Sequence, residues 1–305
     1  MNDKNGKRLK ALKLSVPLYG LLLPSFALLL CFSYLPMAGI IMAFKDYSPS
    51  LGIFGSEWVG FKHFIRFFNS YQFGLTIKNT LVLSLYGVVV GFPLPILLAI
   101  MCNQMRTKMF KKVFQVVTYL PHFISTMVMC GLILILLSPS SGLFANIAKL
   151  FGITFPNVMA SGTAFKHVYV WTDVWQNLGW DSIVYLAALA GIDPSFYEAA
   201  TIDGATTLDK IRFIDIPLLM PTAITLLILR CGSILGIGFE KVYLLQNTQN
   251  IMASEVISTY VYKVGMQNFE YSLSTAVGLF NTIVSVILLL TVNYISKKTT
   301  ESSLL

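Results

Sequence analysis

The most informative stretch is Gly191-Ile-Asp-Pro-Ser-Phe-Tyr-Glu198-Ala-Ala-Thr-Ile-Asp203-Gly204-Ala-Thr-Thr-Leu-Asp-Lys-Ile211-Arg-Phe-Ile214-Asp-Ile216-Pro217. Its local chemistry spells a helix, a turn and a second helix. Asp193 is a good N-cap, and Pro194 suits the first helical position. Glu198 and the alanines favour helix. Gly204 can take the left-handed conformation that ends it. Thr206 then caps a second short helix, with Asp209 three residues on as a near-match to the capping box. Pro217 and Pro221 mark the start of an apolar run. The stretch carries Glu198, Asp203, Asp209, Lys210, Arg212 and Asp215, far more charge than the 12% of the whole chain.

Outside this knob the sequence is apolar. Hydrophobic residues make up 55% of the 305, and mean hydropathy is +0.71. Charges this sparse cannot cover two soluble domains, and the composition excludes disorder and disulfide scaffolds. Six stretches reach the roughly 20 residues needed to cross a bilayer: 16–44, 77–102, 113–137, 167–190, 213–237 and 272–295. The fourth is the most polar. The first is too long for a signal-peptide core and lacks a cleavage site, so it reads as a retained helix.

Lysine and arginine set the orientation. With the N-terminus cytoplasmic, 13 cations fall in roughly 58 inside residues: Lys4 to Lys13, Arg106 to Lys112, Lys210, Arg212, Lys297 and Lys298. Eight fall in roughly 98 outside residues, Lys241 among them. The net charge of +8 is thus a topology signal and does not indicate nucleic acid. Both termini are expected to be cytoplasmic. One all-α domain, 16–295, is expected between a basic segment 1–15 and a tail 296–305, with 191–217 as its cytoplasmic loop. Cys31, Cys102, Cys130 and Cys231 sit in or beside apolar spans and read as small hydrophobes. Phe61 to Arg66 could lie amphipathically at the interface.

On physics alone, the 191–217 loop is either an interfacial anchor or a rigid knob offered to a partner. Its pattern resembles the EAA motif of the inner-membrane permease subunits of ABC importers. Glu198-Ala199-Ala200, Gly204, Ile214 and Pro217 fall in register, and Asp203-Gly204-Ala205 matches a common form. Ile216 stands where Leu is usual, and Ile211 where many members have Phe. Tyr119 to Ser125, Leu137 to Pro139, Tyr185 to Leu189, Gly238 to Lys241 and Thr275 to Phe280 resemble the branch importing complex oligosaccharides.

The resemblance implies a type I ABC importer permease fold in a bacterial inner membrane. It implies a second, similar permease, two cytoplasmic ATPases that use ATP and Mg2+, and an extracytoplasmic solute-binding protein. This chain would bind no cofactor or metal itself. By the same resemblance Glu198, Ala199, Ala200, Asp203, Gly204, Ala205, Ile214 and Pro217 would form the ATPase-coupling element.

A polar residue inside a span is expensive and usually faces the bundle interior or a cavity. At 3.6 residues per turn, Asp173, Gln176, Asn177 and Trp180 lie within about 60° of each other on the fourth span. Trp171 and Trp175 point the other way. Amides and carboxylates bond sugar hydroxyls, and an indole covers the apolar sugar face. The stripe therefore reads as pathway, with packing against a paired permease as the alternative. Arg230 needs an acceptor, for which Glu240 and Asp173 are candidates, either as a structural ion pair or as an anionic-sugar site. Ser274, Gly278, Asn281 and Ser285 share one face of the last span, as packing first and pathway second.

No phosphate-binding Gly-x-x-x-x-Gly-Lys loop occurs, so the chain is not the ATPase. His63, His122 and His167 form no cluster in sequence, and no nucleophile–base pair is visible, so it is not expected to be an enzyme. The competing readings are an ion-driven secondary transporter relying on Asp173 and Asp181, and an importer permease for another solute.

Overall fold

The computed structural model describes residues 16, 18–105, 107–232 and 234–300, with backbone alone at 299 and 300. The basic segment 1–15, Arg106 and residues 301–305 lie outside the described residues. The protein is mostly helical. Helix α1 spans Leu18–Phe44. A two-strand ladder follows, β1 Lys45–Asp46 antiparallel to β2 Glu57–Trp58. Then come α2 Lys62–Phe68, α3 Tyr71–Gln104, α4 Lys108–Phe123, α5 Thr126–Leu136 and α6 Leu143–Leu150. Helix α7 is Gly162–Ala190 and α8 Pro194–Ile202. Then come α9 Thr207–Gly232, α10 Phe239–Leu245, α11 Ile257–Tyr262 and α12 Tyr271–Thr300.

Among the described residues, four helices are long and apolar enough to cross a membrane: α1, α3, α9 and α12. The third expected span, 113–137, is not one straight helix. Helices α4 and α5 meet at a bend of 96°, so they count as a broken span or a re-entrant pair. The chain turns where Pro121 closes a 3-10 turn, and Ser125 caps α5 by accepting from the Val128 N–H at 3.4 Å. Helix α7 is long enough at 29 residues, yet its polar stripe keeps it out of the apolar set. The fifth span also differs from expectation. The second helix of the knob does not stop before Pro217 but runs unbroken into α9 through a wider π turn at Ile211–Asp215. In that turn the Ile216 N–H reaches the Ile211 carbonyl. The same arrangement occurs in α1, where a π turn at Leu30–Tyr34 precedes Pro36. In both places a proline without an N–H follows at once.

Helix α7 is central to the packing. On one side Phe165, Tyr169, Val170 and Val174 pack with Leu83, Cys130, Ile133 and Val242 of α3, α5 and α10. Nearer its C-terminus Tyr185 and Leu189 pack with Ala99, Leu219 and Ala223 of α3 and α9. Gly179 lets α4 come close, because a Cβ there would collide with the Thr118 carbonyl. Small residues at such crossings permit close backbone approach. Most of α1 is exposed and apolar, as a lipid-facing helix must be, and its second half lies on α12. Helix α2 also packs on α12. It buries Phe64 against Ala43 and Ala276, and Phe67 against Val277. Arg66 at its end pairs with Glu270 at 2.6 Å.

Candidate functional site

Two features carry chemistry, and α7 joins them. The first is the knob. Asp193 Oδ1 accepts the Ser195 N–H at 2.9 Å, and Pro194 sits at the helix start. These bonds hold the Asp193 carboxyl below the usual carboxylate range. Gly204 takes φ +76°, the left-handed conformation. The Ala205 N–H reaches the Ala200 carbonyl at 2.9 Å and the Gly204 N–H reaches Thr201 at 3.1 Å, which is a Schellman ending. Thr206 and Asp209 then close a complete capping box. Lys210 Nζ bonds Thr201 Oγ1 at 2.8 Å and lashes the two helices together.

Glu198, Ala199, Asp203 and Gly204 all lie exposed on this knob, and Ala200 and Ala205 are half-buried. Pro217 is exposed at the base of α9. Ile214 is buried in the π turn, so it does not share the exposed surface. The sequence reading missed the apolar part of the knob. Phe196, Ile202 and Leu208 are exposed, Ile202 at 87%. Apolar side chains at the tip of so charged a loop were the available signal.

The second feature is a cavity of about 720 Å3 between the α4–α5 bend, α7 and the start of α10. Asp173, Gln176 and Asn177 line it, and so does Glu240. Asn177 Oδ1 meets His122 Nδ1 at 3.0 Å. The His122 ring stacks on Trp180, 4.5 Å between centroids and 5° from parallel. Gln176 is committed elsewhere, since its Nε2 donates to the Ile124 carbonyl at 2.8 Å. It thereby satisfies backbone that the bend leaves without a helical partner.

Arg230 does not pair with Glu240 or Asp173 as expected. Its Nη2 lies 3.5 Å from Asp181 Oδ2, and its Nη1 donates to the Gly91 carbonyl at 2.7 Å. Asp173 instead holds Lys241, at 3.3 Å, and Lys241 also sits 5.3 Å over the Tyr169 ring. Lys241 is buried, although the sequence reading counted it among outer-segment cations. The reason is geometric: α10 folds back onto α5 and α7, so the residues after α9 re-enter the bundle. A lysine set between Glu240 and the run Val242-Tyr-Leu-Leu245 was the signal.

Arg230 stands between two smaller cavities. One of about 190 Å3 contains Asp173, and one of about 370 Å3 contains Trp180, Asp181 and Tyr185. Polar groups and open space thus follow one face of α7 from Asp173 to Asp181. Trp171 and Trp175 are exposed on other faces, with Trp171 Nε1 donating to the Tyr86 hydroxyl at 2.8 Å. Asn281 is not among the residues lining these three cavities, and its Oδ1 is buried without a hydrogen-bond partner. Ser274 donates to the Val261 carbonyl at 2.9 Å, and a Cβ on Gly265 would press against it. That end of the small-residue stripe is a helix contact. Among the described residues no cluster of His, Cys, Asp and Glu could hold a metal ion.

Residues 91–301 match the family described as binding-protein-dependent transport system inner membrane component. The chain is 42% identical over 287 residues to the polygalacturonan/rhamnogalacturonan transport system permease protein YteP of Bacillus subtilis, covering 94% of this chain and 89% of that one. It is 30% identical to the arabinooligosaccharides transport system permease protein AraP of the same organism, over 90% and 85% of the two chains. Its fold matches a chain of a bacterial ABC transporter involved in the import of the acidic polysaccharide alginate. There the TM-score is 0.88 and the identity 40%, covering 96% of this chain and 99% of the other. A second match is to the alginate transporter in complex with an alginate pentasaccharide-bound periplasmic protein.

Proposed function

Since this chain belongs to the family of binding-protein-dependent transport system inner membrane components, we propose that its α7 stripe is sugar path and its 191–217 knob the ATPase contact. It is a permease subunit of an ABC importer and not an enzyme. The observation that carries the proposal is the continuity of α7. The helix bears the cavity-lining face from Asp173 to Asp181 and ends at Ala190, four residues before α8, the first helix of the knob, begins at Pro194. A push on the knob therefore acts directly on the walls of the cavity.

In this reading α1, α3, the bent α4–α5 pair, α7, α9 and α12 make six crossings of a bacterial inner membrane. Both termini and the knob lie on the cytoplasmic side, which accords with the lysine and arginine bias. Residues 16–295 form one permease domain between the segments 1–15 and 296–305. A second, different permease would complete the path. Two ATPases, using ATP and Mg2+, would dock on Glu198, Ala199, Asp203 and Gly204 with the apolar tip beside them. A solute-binding protein would deliver the cargo from outside, as the match to an alginate transporter bound to its periplasmic protein favours.

The cargo is an oligosaccharide. The names of two relatives near 40% identity favour one rich in uronic acids. Asn177, Glu240 and Asp173 offer hydroxyl partners at the cavity, and the His122–Trp180 stack offers an aromatic face. Alternating access would follow from closure of the ATPases, rocking α7 and α9 through the knob.

The test is uptake of labelled trigalacturonate into proteoliposomes holding both permeases and the ATPases, with the solute-binding protein added outside. Uptake should require ATP and the binding protein, ignore a protonophore, and resist competition by arabinotriose. Uptake without ATP that a protonophore abolishes would replace this reading with a secondary transporter.

A further inference from the structure

Among the described residues, one carboxylate is fully buried and belongs to neither the cavity nor the exposed surface of the knob. Asp215 has 0% of its surface exposed and is the last residue of the π turn in α9. Its two oxygens go to two different elements. Oδ1 accepts the hydroxyl of Tyr197, from the knob helix α8, at 2.5 Å. Oδ2 accepts the amide of Gln104, the last residue of α3, at 2.8 Å. A buried carboxylate is costly unless its lone pairs are taken up, and here each partner arrives from a separate helix.

We propose that Asp215 is the positioning residue through which movement of the knob reaches the spans, locking α8, the base of α9 and the end of α3 into one body. This rests on the reading of the knob as the ATPase contact. The geometry supports it in three ways. Helix α8 makes its surface available to a partner, with Phe196 and Ile202 exposed, so the Tyr197 hydroxyl is a polar tie from it toward the bundle. The tie lands on a π turn, a type of helix irregularity that often sits at functional sites. Charge-assisted bonds such as these are shorter and stronger than neutral ones, so they resist the load better than apolar contact alone.

Burial and the bond to Asp215 push the Tyr197 hydroxyl up to about 12. It therefore remains a proton donor throughout the physiological range.

A nitroxide distance measurement on the whole complex tests this. Cys31, Cys102, Cys130 and Cys231 are replaced by alanine. Labels are then placed at Ser195→Cys on α8 and Met101→Cys on α3, both exposed positions. Distances are compared without nucleotide and with ATP and vanadate trapped. In the otherwise unmodified complex the distance should be the same in both states, because α8 and the end of α3 move together. With Tyr197→Phe or Asp215→Leu it should shift or broaden between states. Asp215→Asn keeps an acceptor for the Tyr197 hydroxyl, and its amide nitrogen can donate to the Gln104 side-chain oxygen once that amide turns over, so the distance should stay fixed; a role that needs only the negative charge would not give that pattern. A fixed distance in Tyr197→Phe, or a changing one in the unmodified complex, overturns the lock. If Asp215→Leu fails to assemble, Tyr197→Phe decides the matter alone. An unmodified complex that assembles no ATPase and traps no nucleotide overturns the ATPase reading, and the lock with it.

Discussion

Arg230 donates to the carbonyl of Gly91 at 2.7 Å, and the residue four places beyond Gly91 is Pro95. Proline has no N–H, so the bond that would continue α3 at this point cannot form. The guanidinium of α9 supplies the missing donor and at the same time faces Asp181 of α7. One side chain thus ties three helices together where one of them is interrupted. The expected consequence is a dependence between two residues far apart in sequence. Arg230→Met should destabilise the permease by about 1.5–3 kcal/mol, the range for hydrogen bonds to charged groups. Pro95→Ala restores an N–H and should recover part of that loss. Thermal unfolding of the two single variants and the double variant in detergent measures the coupling, and strict additivity would contradict it.

The Lys241–Asp173 pair should behave asymmetrically. Lys241 is buried, while Asp173 is 42% exposed in the cavity. Removing the lysine leaves a carboxylate that water can still reach, and removing the aspartate leaves a buried ammonium. Asp173→Leu alone should therefore cost more than Lys241→Met alone, by about 1–3 kcal/mol after allowing for the exposed partner. The double variant should regain most of the stability yet still import poorly, since Asp173 lines the path. Unfolding temperatures set beside uptake rates would separate the two effects.

Gly204 should be replaceable only by residues that accept its backbone. At φ +76° an alanine costs about 1–2 kcal/mol, whereas asparagine is better tolerated there. The expected order of ATPase retention in a pull-down is unmodified, then Gly204→Asn, then Gly204→Ala, with Gly204→Pro retaining none. Equal retention by all four would mean that the turn does not shape the docking surface.

The knob was legible from the sequence because its instructions are local. Asp193, Pro194, Gly204, Thr206 and Asp209 each act within a few residues, and each does in the structure what its chemistry specifies. The stripe on α7 was legible for the same reason, since helical periodicity places Asp173, Asn177 and Trp180 together. What the sequence did not disclose depends on contacts across long separations. Asp181, and not Asp173 or Glu240, faces Arg230 because α9 crosses α7 near its C-terminal half. Lys241 enters the bundle because α10 folds back. The 96° bend at Ile124 and Ser125 lies inside an apolar run, just after Pro121, and hydropathy does not register direction.

The two tryptophans Trp175 and Trp180 offer the sharpest test of the path. They share one helix and similar exposure, 55% and 45%, but differ in what surrounds them. Trp180 stacks on His122 at the junction of the larger cavity with the one that holds Asp181. Trp175 lines none of the three cavities along α7. If sugar rings pass along this face, losing an aromatic contact worth about 0.5–1.5 kcal/mol should slow import up to roughly tenfold in Trp180→Ala. Trp175→Ala should import at nearly the normal rate. A cysteine at Asn177 should react with a water-soluble thiol reagent, and bound sugar should protect it. Equal loss of import in both tryptophan variants would point instead to a general packing role for the aromatic residues of α7.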